Sequence, residues 1–235
     1  MKFLVPNDVA LQLQRSVRDA MLQDRFVNPE TGTYEVWGTY FDTPRWDVFQ
    51  RNAGFARKKF RLRRYPKSDV AYLERKRKRQ GRVSKVRIPL SLHEWHRVIR
   101  GEAPTLHDDP VTLDWYLHRL QRRQLRPVVS ITYERTPYMQ MDRSGPIRLT
   151  VDRHLRCGVV EGDRSYLGAP LSAEMISRCC IVEMKFLEAM PLLFRDWIRD
   201  FGLVPTSFSK YRTAVSLLGI GTSVAGTDSQ PSITE

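Results

Sequence analysis

Charged residues alternate with other side chains along several short stretches of the sequence. In residues 60–78, FRLRRYPKSDVAYLERKRK, Arg61 and Arg63 are two residues apart. Glu74 and Lys76, which follow a predicted turn, are also two residues apart. Successive side chains of a β-strand point to opposite faces, so residues two apart lie on the same face. The pattern therefore predicts strands that each present one charged face.

The same alternation continues in four later stretches, and the positions between the charged residues there are largely apolar. One strand of this kind is typical of a solvated surface. Six such strands, in which Lys and Arg outnumber the carboxylates, favour a surface that the protein builds for an anion. The further charged-face residues are Lys85 and Arg87; Tyr133 and Arg135; Arg148, Thr150 and Asp152; and Glu183 and Lys185.

Closure of these strands into an antiparallel β-barrel would turn the charged face into a lumen and leave no sheet edge. Like charges repel one another more strongly there than in water, and a polyanion relieves the repulsion through bidentate contacts between Arg and phosphate. Glu74, Asp152 and Glu183 are then expected to pair with the basic residues and to offer oxygen ligands to Mg²⁺ or Mn²⁺. The pattern predicts an inward-facing tunnel that binds phosphates.

Composition agrees with an anionic partner. The 235 residues include 39 Lys and Arg against 26 Asp and Glu, a formal net charge of +13. Such an excess indicates nucleic acid, an anionic membrane or a phosphorylated small molecule as partner. The three cysteines show no disulfide-framework spacing, no apolar run is long enough for a membrane span, and the first residues do not resemble a signal peptide. We therefore expect a cytoplasmic, soluble protein in a reducing compartment.

Local patterns predict an α+β protein whose main body is the sheet, with short helices packed outside it. One domain is expected over residues 1–218, followed by a disordered tail over 219–235. Strands are predicted at 33–43, 55–65, 70–78, 82–89, 127–138, 146–154 and 180–188. Helices are predicted at 6–24, in two pieces between the fourth and fifth of these strands (the first capped by Ser91), and in two pieces after the last strand.

Nine motifs occur in order along the chain: KFLV near the start, YFDTP (40–44), RLRRY (61–65), LERKRK (73–78), SKVR (84–87), RPVVSITYERTPY (126–138), IRLTVD (147–152), IVEMKF (181–186) and FSKY (208–211). Together they resemble the VTC domain, the catalytic domain of the vacuolar transporter chaperone polyphosphate polymerases, within the triphosphate tunnel metalloenzyme superfamily. The resemblance covers about residues 1–218, nearly the whole chain. It implies an antiparallel β-barrel tunnel that binds triphosphate and polyphosphate with a divalent metal.

The resemblance also implies a role for each matching residue. The expected catalytic residues are Lys2, Arg61, Arg63, Lys76, Arg135 and Glu183. The expected phosphate-binding residues are Lys85, Arg87, Tyr133, Arg148, Lys185, Ser209 and Lys210. Glu183 matches the family's metal-binding glutamate, and Glu74 and Asp152 are further candidate ligands for Mn²⁺ or Mg²⁺.

A polyphosphate polymerase is the activity that the resemblance implies. The expected reaction transfers the terminal phosphoryl group of a nucleoside triphosphate, with ATP as the expected donor, to a growing polyphosphate chain. Eukaryotic relatives carry an inositol-phosphate-sensing SPX domain and membrane helices. This chain has neither, so regulation by that sensor is not expected here, while a membrane partner stays open.

Two alternatives remain open at this stage. The same tunnel could present water to the donor, which would make the protein a triphosphate hydrolase like sister families of the superfamily, although their typical ExExK strand is absent. The basic stretches RRYPK, ERKRKRQGR and HRLQRRQLR could instead bind nucleic acid. No helix-turn-helix, zinc-finger or RNP signature accompanies them, so a nucleic-acid partner is not expected.

Overall fold

The computed structural model describes residues 1–79, 82–99, 102, 109–143, 145–160 and 171–221. Over these residues the chain forms one ten-stranded sheet in which every pairing is antiparallel, flanked by six helices. This confirms the predicted α+β class. The strands are β1 (Lys2–Pro6), β2 (Leu22–Gln23), β3 (Tyr34–Asp42), β4 (Lys58–Arg64), β5 (Val70–Arg79), β6 (Arg82–Ser91), β7 (Arg126–Asp142), β8 (Gly145–Val159), β9 (Ala173–Glu174) and β10 (Cys179–Lys185).

The sheet curls around a central cavity but does not close. Its strand order is β1-β10-β8-β7-β3-β4-β5-β6, with β2 added to β7 and β9 added to β8. The tunnel-like antiparallel fold is as predicted, but the expected closure without edges is not found, since β1 and β6 do not pair within the part of the chain that the structure describes. A different segment covers the edge of β1: the backbone N–H of Thr206 donates to the carbonyl of Lys2 at 2.8 Å, and Phe3 forms a bridge with Pro205.

Five of the six helices were predicted, with shifted bounds, and the short helix at Asp47–Gln50 was not. The first predicted helix, 6–24, is shorter than expected because the chain re-enters the sheet as β2. Ser91 caps α3 as predicted: its hydroxyl accepts from the N–H of Glu94 at 3.2 Å, and the Glu94 carboxylate accepts from the N–H of Ser91 at 2.8 Å, a capping box. The helices are α1 (Asn7–Ala20), α2 (Asp47–Gln50), α3 (Leu92–Ile99), α4 (Pro110–Arg122), α5 (Leu192–Asp200) and α6 (Lys210–Leu217).

None of these helices, over the described residues, combines the length and the apolar character needed to cross a bilayer. The predicted tail at 219–235 lies beyond the described residues except for Gly219, Ile220 and Gly221, so its disorder stays a prediction.

Two apolar cores hold the helices against the outer face of the sheet. One core places Leu13 of α1 and Phe194 of α5 against Phe3 and Val182, which are all 0% exposed. The other core covers β4, β5 and β6 with α3 and α4, where the ring of Phe60 meets Tyr116 edge to face at 6.4 Å. With their apolar face buried under helices, the strands turn their other face toward the cavity.

A bulge in β8 lies beside this cavity. Thr132 pairs with Arg156 and Glu134 pairs with Arg153, so two residues of β8 oppose one residue of β7. His154, inside the bulge, has a positive φ of 50°. Bulges bend a strand and increase its twist. Along β7, one residue pair, Glu134 with Arg153, separates this bulge from the pair formed by Arg135 and Asp152.

Candidate active site

The charged faces of eight strands meet around one cavity of about 950 Å³. Within the described residues, twelve Lys and Arg side chains line it against five Asp and Glu side chains. The enclosure is large enough for a nucleoside triphosphate, since ligand pockets usually measure roughly 300–1,000 Å³. The basic residues are Lys2, Lys59, Arg61, Arg63, Lys67, Lys76, Lys85, Arg87, Arg135, Arg148, Lys185 and Lys210.

Glu74 organises one wall of the cavity. It lies on β5 between Arg61 of β4 and Arg87 of β6, which are its direct partners in register. Its carboxylate accepts from Nε of Arg61 at 2.7 Å, from Nε of Arg87 at 2.8 Å and from Nζ of Lys85 at 2.7 Å. Arg63 Nε lies slightly farther away, 3.9 Å from the same carboxylate. One negative charge thus orients four cations and leaves the wall strongly positive.

These cations also keep Glu74 ionised. Burial of the carboxyl, which is 2% exposed, would by itself raise its pKa. The charges of Arg61 and Arg63 and the hydrogen bonds from Lys85 and Arg87 outweigh this effect and hold the pKa of Glu74 well below its usual range. Glu74 is therefore a permanent anion at neutral pH whose oxygens are fully engaged by the protein.

Asp152 orients cations on the opposite wall in the same way, although it lies behind the residues that line the cavity. The carboxylate is 0% exposed and accepts from Nε and Nη2 of Arg135 at 2.7 and 2.8 Å. Lys210, at the start of α6, donates to the same carboxylate. Burial opposes ionisation of Asp152, but Arg135 and Lys210 hold its pKa well below the ordinary value. Asp152 thereby fixes two cations that do face the cavity.

Tyr133 joins the two ion clusters. Its hydroxyl accepts from Arg63 at 3.3 Å and from Arg135 at 3.5 Å. Nζ of Lys210 lies 4.4 Å from the centre of its ring, within the range of a cation–π contact. A Tyr at this position connects guanidinium groups from both walls and orders them without neutralising any charge.

Glu183 differs from the other two carboxylates because the protein leaves its oxygens largely available. It lies on β10 opposite Lys2 and Thr150 in register, and its ion-pair contact is with Nζ of Lys185 at 3.7 Å. No hydrogen-bond donor of the described residues reaches it. Burial raises its pKa, but Lys185, Lys2 and Arg135 outweigh burial and lower the pKa below its usual value. Glu183 therefore faces the cavity as an ionised group with free coordination capacity.

Three groups that line the cavity, Lys59, Tyr40 and Lys185, have a pKa of about 8. Lys59 is exposed to the cavity solvent yet surrounded by protein, and burial together with Lys2, Arg61 and Lys76 lowers its pKa to about 8 despite the opposing influence of Tyr40. The pKa of Tyr40 is also about 8: burial would raise it, but Arg61 and Lys59 lower it. The excess positive charge of the cavity thus costs free energy in the absence of an anion.

The three predicted metal ligands do not come together. Among the described residues no three His, Cys, Asp or Glu side chains are grouped so that they could share one ion. The carboxylate oxygens of Glu74 and Asp152 accept hydrogen bonds from Arg and Lys, whereas the oxygens of Glu183 stay available to a ligand. Magnesium in phosphate-handling sites is commonly held by one or two carboxylates plus substrate phosphates and water. The donor set therefore fits a divalent ion held by Glu183 together with substrate, and does not fit an ion held by all three.

Most of the predicted site residues face the same cavity, with two exceptions. Ser209 does not line it but lies at the start of α6, 3.5 Å from Nζ of Lys59, and caps the helix. Asp152 lies behind the lining. The predicted residues that do line the cavity are Lys2, Arg61, Arg63, Glu74, Lys76, Lys85, Arg87, Tyr133, Arg135, Arg148, Glu183, Lys185 and Lys210.

Sequence reasoning missed two basic residues of the lining, Lys59 and Lys67, and a group of tyrosines. Lys59 has the parity of Arg61 and Arg63, so the period-two rule extended by one step would have found it. The tyrosines carried no such signal, because aromatic residues on strands are usually packing residues. They support the arginines: Tyr40 accepts from Arg61 at 3.4 Å, and Tyr34 accepts from Arg148 at 3.3 Å.

Comparisons with known proteins agree with this geometry. The family model described as the VTC domain matches residues 1–219. No curated protein matches the sequence.

Two solved structures show the same fold. A proposed adenylate cyclase from Bacillus halodurans is 15% identical and has a TM-score of 0.55, with 90% of this chain and 94% of that chain covered. A proposed adenylyl cyclase from Hippeastrum, described as having a dominant triphosphatase activity, is 12% identical with a TM-score of 0.52, covering 93% of this chain and 95% of that one. At these identities the likeness concerns the fold alone.

Proposed function

The chain belongs to the VTC domain family, within the triphosphate tunnel metalloenzyme superfamily, and on this premise we propose that it is a metal-dependent polyphosphate polymerase. The family indicates an enzyme that acts on triphosphates. The finer proposal is that the protein transfers the terminal phosphoryl group of a nucleoside triphosphate, with ATP as donor, to the end of a polyphosphate chain.

The observation that carries this proposal is the excess of cations inside one enclosed cavity, twelve basic against five acidic side chains over the described residues. A ligand with several negative charges relieves the repulsion that remains among these cations. A triphosphate or a longer phosphate chain supplies those charges in a row, and guanidinium groups contact phosphate oxygens in a bidentate manner. The cavity therefore fits a linear string of phosphates better than a single anion.

Phosphoryl transfer asks mainly for positioning and for dispersal of charge. We assign the binding of the donor triphosphate to Arg61, Arg63, Arg135 and Lys76, with Tyr133 setting the orientation of two of the arginines. The bond between the terminal phosphorus and its bridging oxygen breaks, a nucleoside diphosphate leaves, and a terminal oxygen of the acceptor forms the new bond. A divalent ion bound by Glu183 would neutralise charge on the donor phosphates.

The acceptor is assigned to the side of the cavity near α6. Lys2 donates to the carbonyl of Phe208 at 3.4 Å, which places its ammonium group beside the residues that precede this helix. Lys210 and Ser209 mark the helix N-terminus, where free N–H groups favour anions. Lys85, Arg87, Arg148 and Lys185 extend the basic surface for the rest of the chain. Because one phosphoanhydride bond is broken as another is formed, departure of the product helps drive elongation.

Incubation with ATP and manganese, followed by gel separation of the products, tests the proposal. We expect phosphate chains to accumulate together with nucleoside diphosphate. Glu183→Gln should lower the rate of chain formation at least about a hundredfold while calorimetry still detects binding of ATP. Normal elongation by this variant would exclude Glu183 as the metal ligand.

The second candidate function is triphosphate hydrolysis, favoured by the fold shared with the Hippeastrum protein that is described as a triphosphatase. Water would then take the place of the acceptor phosphate in the same cavity. The two functions are distinguished by the ratio of chain-bound to free phosphate at equal ATP consumption. Free phosphate as the sole product, even with added polyphosphate primer, would favour the hydrolase and contradict the polymerase.

A further inference from the structure

A second group of basic side chains lies outside the cavity, where β4 and β5 meet α4. We call it the outer basic patch and define it as Lys58, Arg75, Arg77, Arg119 and Arg123. The three strand residues have the opposite parity to Lys59, Lys76 and the other cavity residues of β4 and β5, so they project from the other face of the sheet.

Aromatic rings hold the arginines of the patch in place. The guanidinium groups of Arg75 and Arg119 lie over the ring of Trp115, at 4.6 and 4.4 Å from its centre. Arg123 lies 4.8 Å from the ring centre of Phe55 and donates to the carbonyl of Gly54 at 3.4 Å. Stacking of this kind fixes the plane of a guanidinium group, and Arg75, Arg119 and Arg123 each stay partly exposed.

The positive charge of the patch is not neutralised locally. No carboxylate of the described residues forms an ion pair with any of its five members. The pKa of Lys58 is lowered by burial and then by Arg123, Arg77, Arg119 and Arg75, which shows that these cations are close enough to repel one another. Such a cluster costs free energy unless an external anion supplies the missing negative charge.

The outer basic patch adjoins the cavity across two consecutive residue pairs. Lys59 pairs with Lys76 in register on the cavity face, and the next pair, Lys58 with Arg77, belongs to the patch. Lys59 and Lys76 are exposed, whereas Arg63 and Glu74 on the same strands are buried, so the cavity opens toward this end. Positive charge therefore continues without interruption from the inside of the sheet to its outer face.

We propose that the outer basic patch binds a polyphosphate chain after it leaves the cavity past Lys59 and Lys76. The identity of this occupant rests on the proposed polymerase function. Two guanidinium groups already contact the ring of Trp115, which leaves less of the ring for stacking on a base. The patch therefore fits an inorganic chain better than single-stranded nucleic acid. A patch of this kind holds the product at the exit and favours long chains over short ones.

Binding measurements on the full chain test this inference. In Lys58→Gln/Arg77→Gln/Arg119→Gln, calorimetry should show at least about a tenfold loss of affinity for long-chain polyphosphate, since hydrogen bonds to charged groups are among the strong ones. Affinity for tripolyphosphate, which fits within the cavity, should not change. The dependence of long-chain affinity on salt should also become less steep, as fewer counterions are displaced.

The matched control is Arg15→Gln/Arg18→Gln/Arg195→Gln, which removes three exposed charges from α1 and α5 and should leave both affinities unchanged. Lys58→Glu, which leaves the stacked arginines in place, should show a smaller loss of the same kind and guards against misfolding of the triple variant. The inference is wrong if the patch variants keep their affinity for long-chain polyphosphate. It is also wrong if they lose affinity for duplex DNA alone. A wild-type protein that forms no chains yet shows the expected binding losses would refute the polymerase proposal and leave the patch as a polyphosphate site.

Discussion

At the scale of single residues, three carboxylates divide between two tasks. Glu74 and Asp152 are saturated by Arg and Lys and determine where those cations point before any ligand binds. Glu183 keeps its oxygens available. The sequence indicated that all three would pair with basic residues and offer metal ligands. It could not separate the tasks, because the number of cations reaching each carboxylate depends on the register between strands that are distant in sequence.

The role of Glu74 leads to a test of stability. Glu74→Gln leaves four cations without their common anion, so we expect the free energy of unfolding to fall by about 3 kcal/mol, the range measured when one partner of a buried ion pair is removed. Urea unfolding gives this quantity. Tripolyphosphate should restore part of the loss by replacing the missing charge. Glu30→Gln, at an exposed site, is the control, and equal stability of both variants would show that the cluster is not held by Glu74.

The lowered pKa of Lys59 leads to a test of pH dependence. An anion binds the protonated amine, so this contribution to affinity is complete below the free-state pKa of about 8 and is lost as the pH rises above it. Tripolyphosphate affinity should therefore decline from pH 8 toward pH 10. Lys59→Gln should bind more weakly at pH 7 and lose part of that decline, whereas Lys59→Arg should keep its affinity at pH 7 and lose the same part. Tyr40 and Lys185, whose pKa values are also about 8, account for the remaining decline. An identical pH profile for wild type and Lys59→Gln would contradict the assignment.

At the scale of secondary-structure elements, the period-two pattern predicted the strands that build the cavity because every one of them buries its other face. The prediction failed where pairing depends on distant segments. Strand β1 was missed because five residues before a helix give little periodic signal, although Phe3 and Val5 are buried on one side. Closure was expected but not found, because residues 205 and 206, far along the chain, reach the edge of β1.

Helix α6 carries Lys210 to the cavity and is anchored by its next residue. The hydroxyl of Tyr211 donates to the buried carboxylate of Asp42, which also accepts from the backbone N–H groups of Val48 at 2.8 Å and Phe49 at 2.9 Å. The ring of Tyr211 stacks on Tyr40 at 5.4 Å. The buried hydrogen bond from the Tyr211 hydroxyl to the Asp42 carboxylate therefore helps to fix α6, together with the ring stacking and the ion pair of Lys210 with Asp152.

Tyr211→Phe tests this anchor. The ring and its stacking are preserved, but Asp42 loses a donor, so we expect the free energy of unfolding to fall by about 2 kcal/mol. Tripolyphosphate affinity should fall modestly, because Lys210 is less well positioned. Chemical denaturation and calorimetry measure the two effects. Ser216→Ala, on the exposed side of α6, should change neither, and a Tyr211→Phe protein as stable as wild type would refute the anchor.

At the scale of the whole molecule, the fold concentrates much of its net charge of +13 on one inward surface. Helices cover the apolar face of the curled sheet, and this arrangement forces the basic residues toward one another. The sequence predicted the convergence from parity alone. Parity also indicated that Arg75 and Arg77 lie outside the cavity. The sequence did not reveal the open edge, or that α4 adds Arg119 and Arg123 to those arginines, because both depend on how α4 and the segment before α6 pack against particular strands.

A crystal structure with bound tripolyphosphate tests the central claim most directly. We expect the three phosphates inside the cavity, within hydrogen-bond distance of Arg61, Arg63 and Arg135. Tripolyphosphate bound only to the outer surface, with the cavity arginines still joined to Glu74 and Asp152 alone, would contradict it.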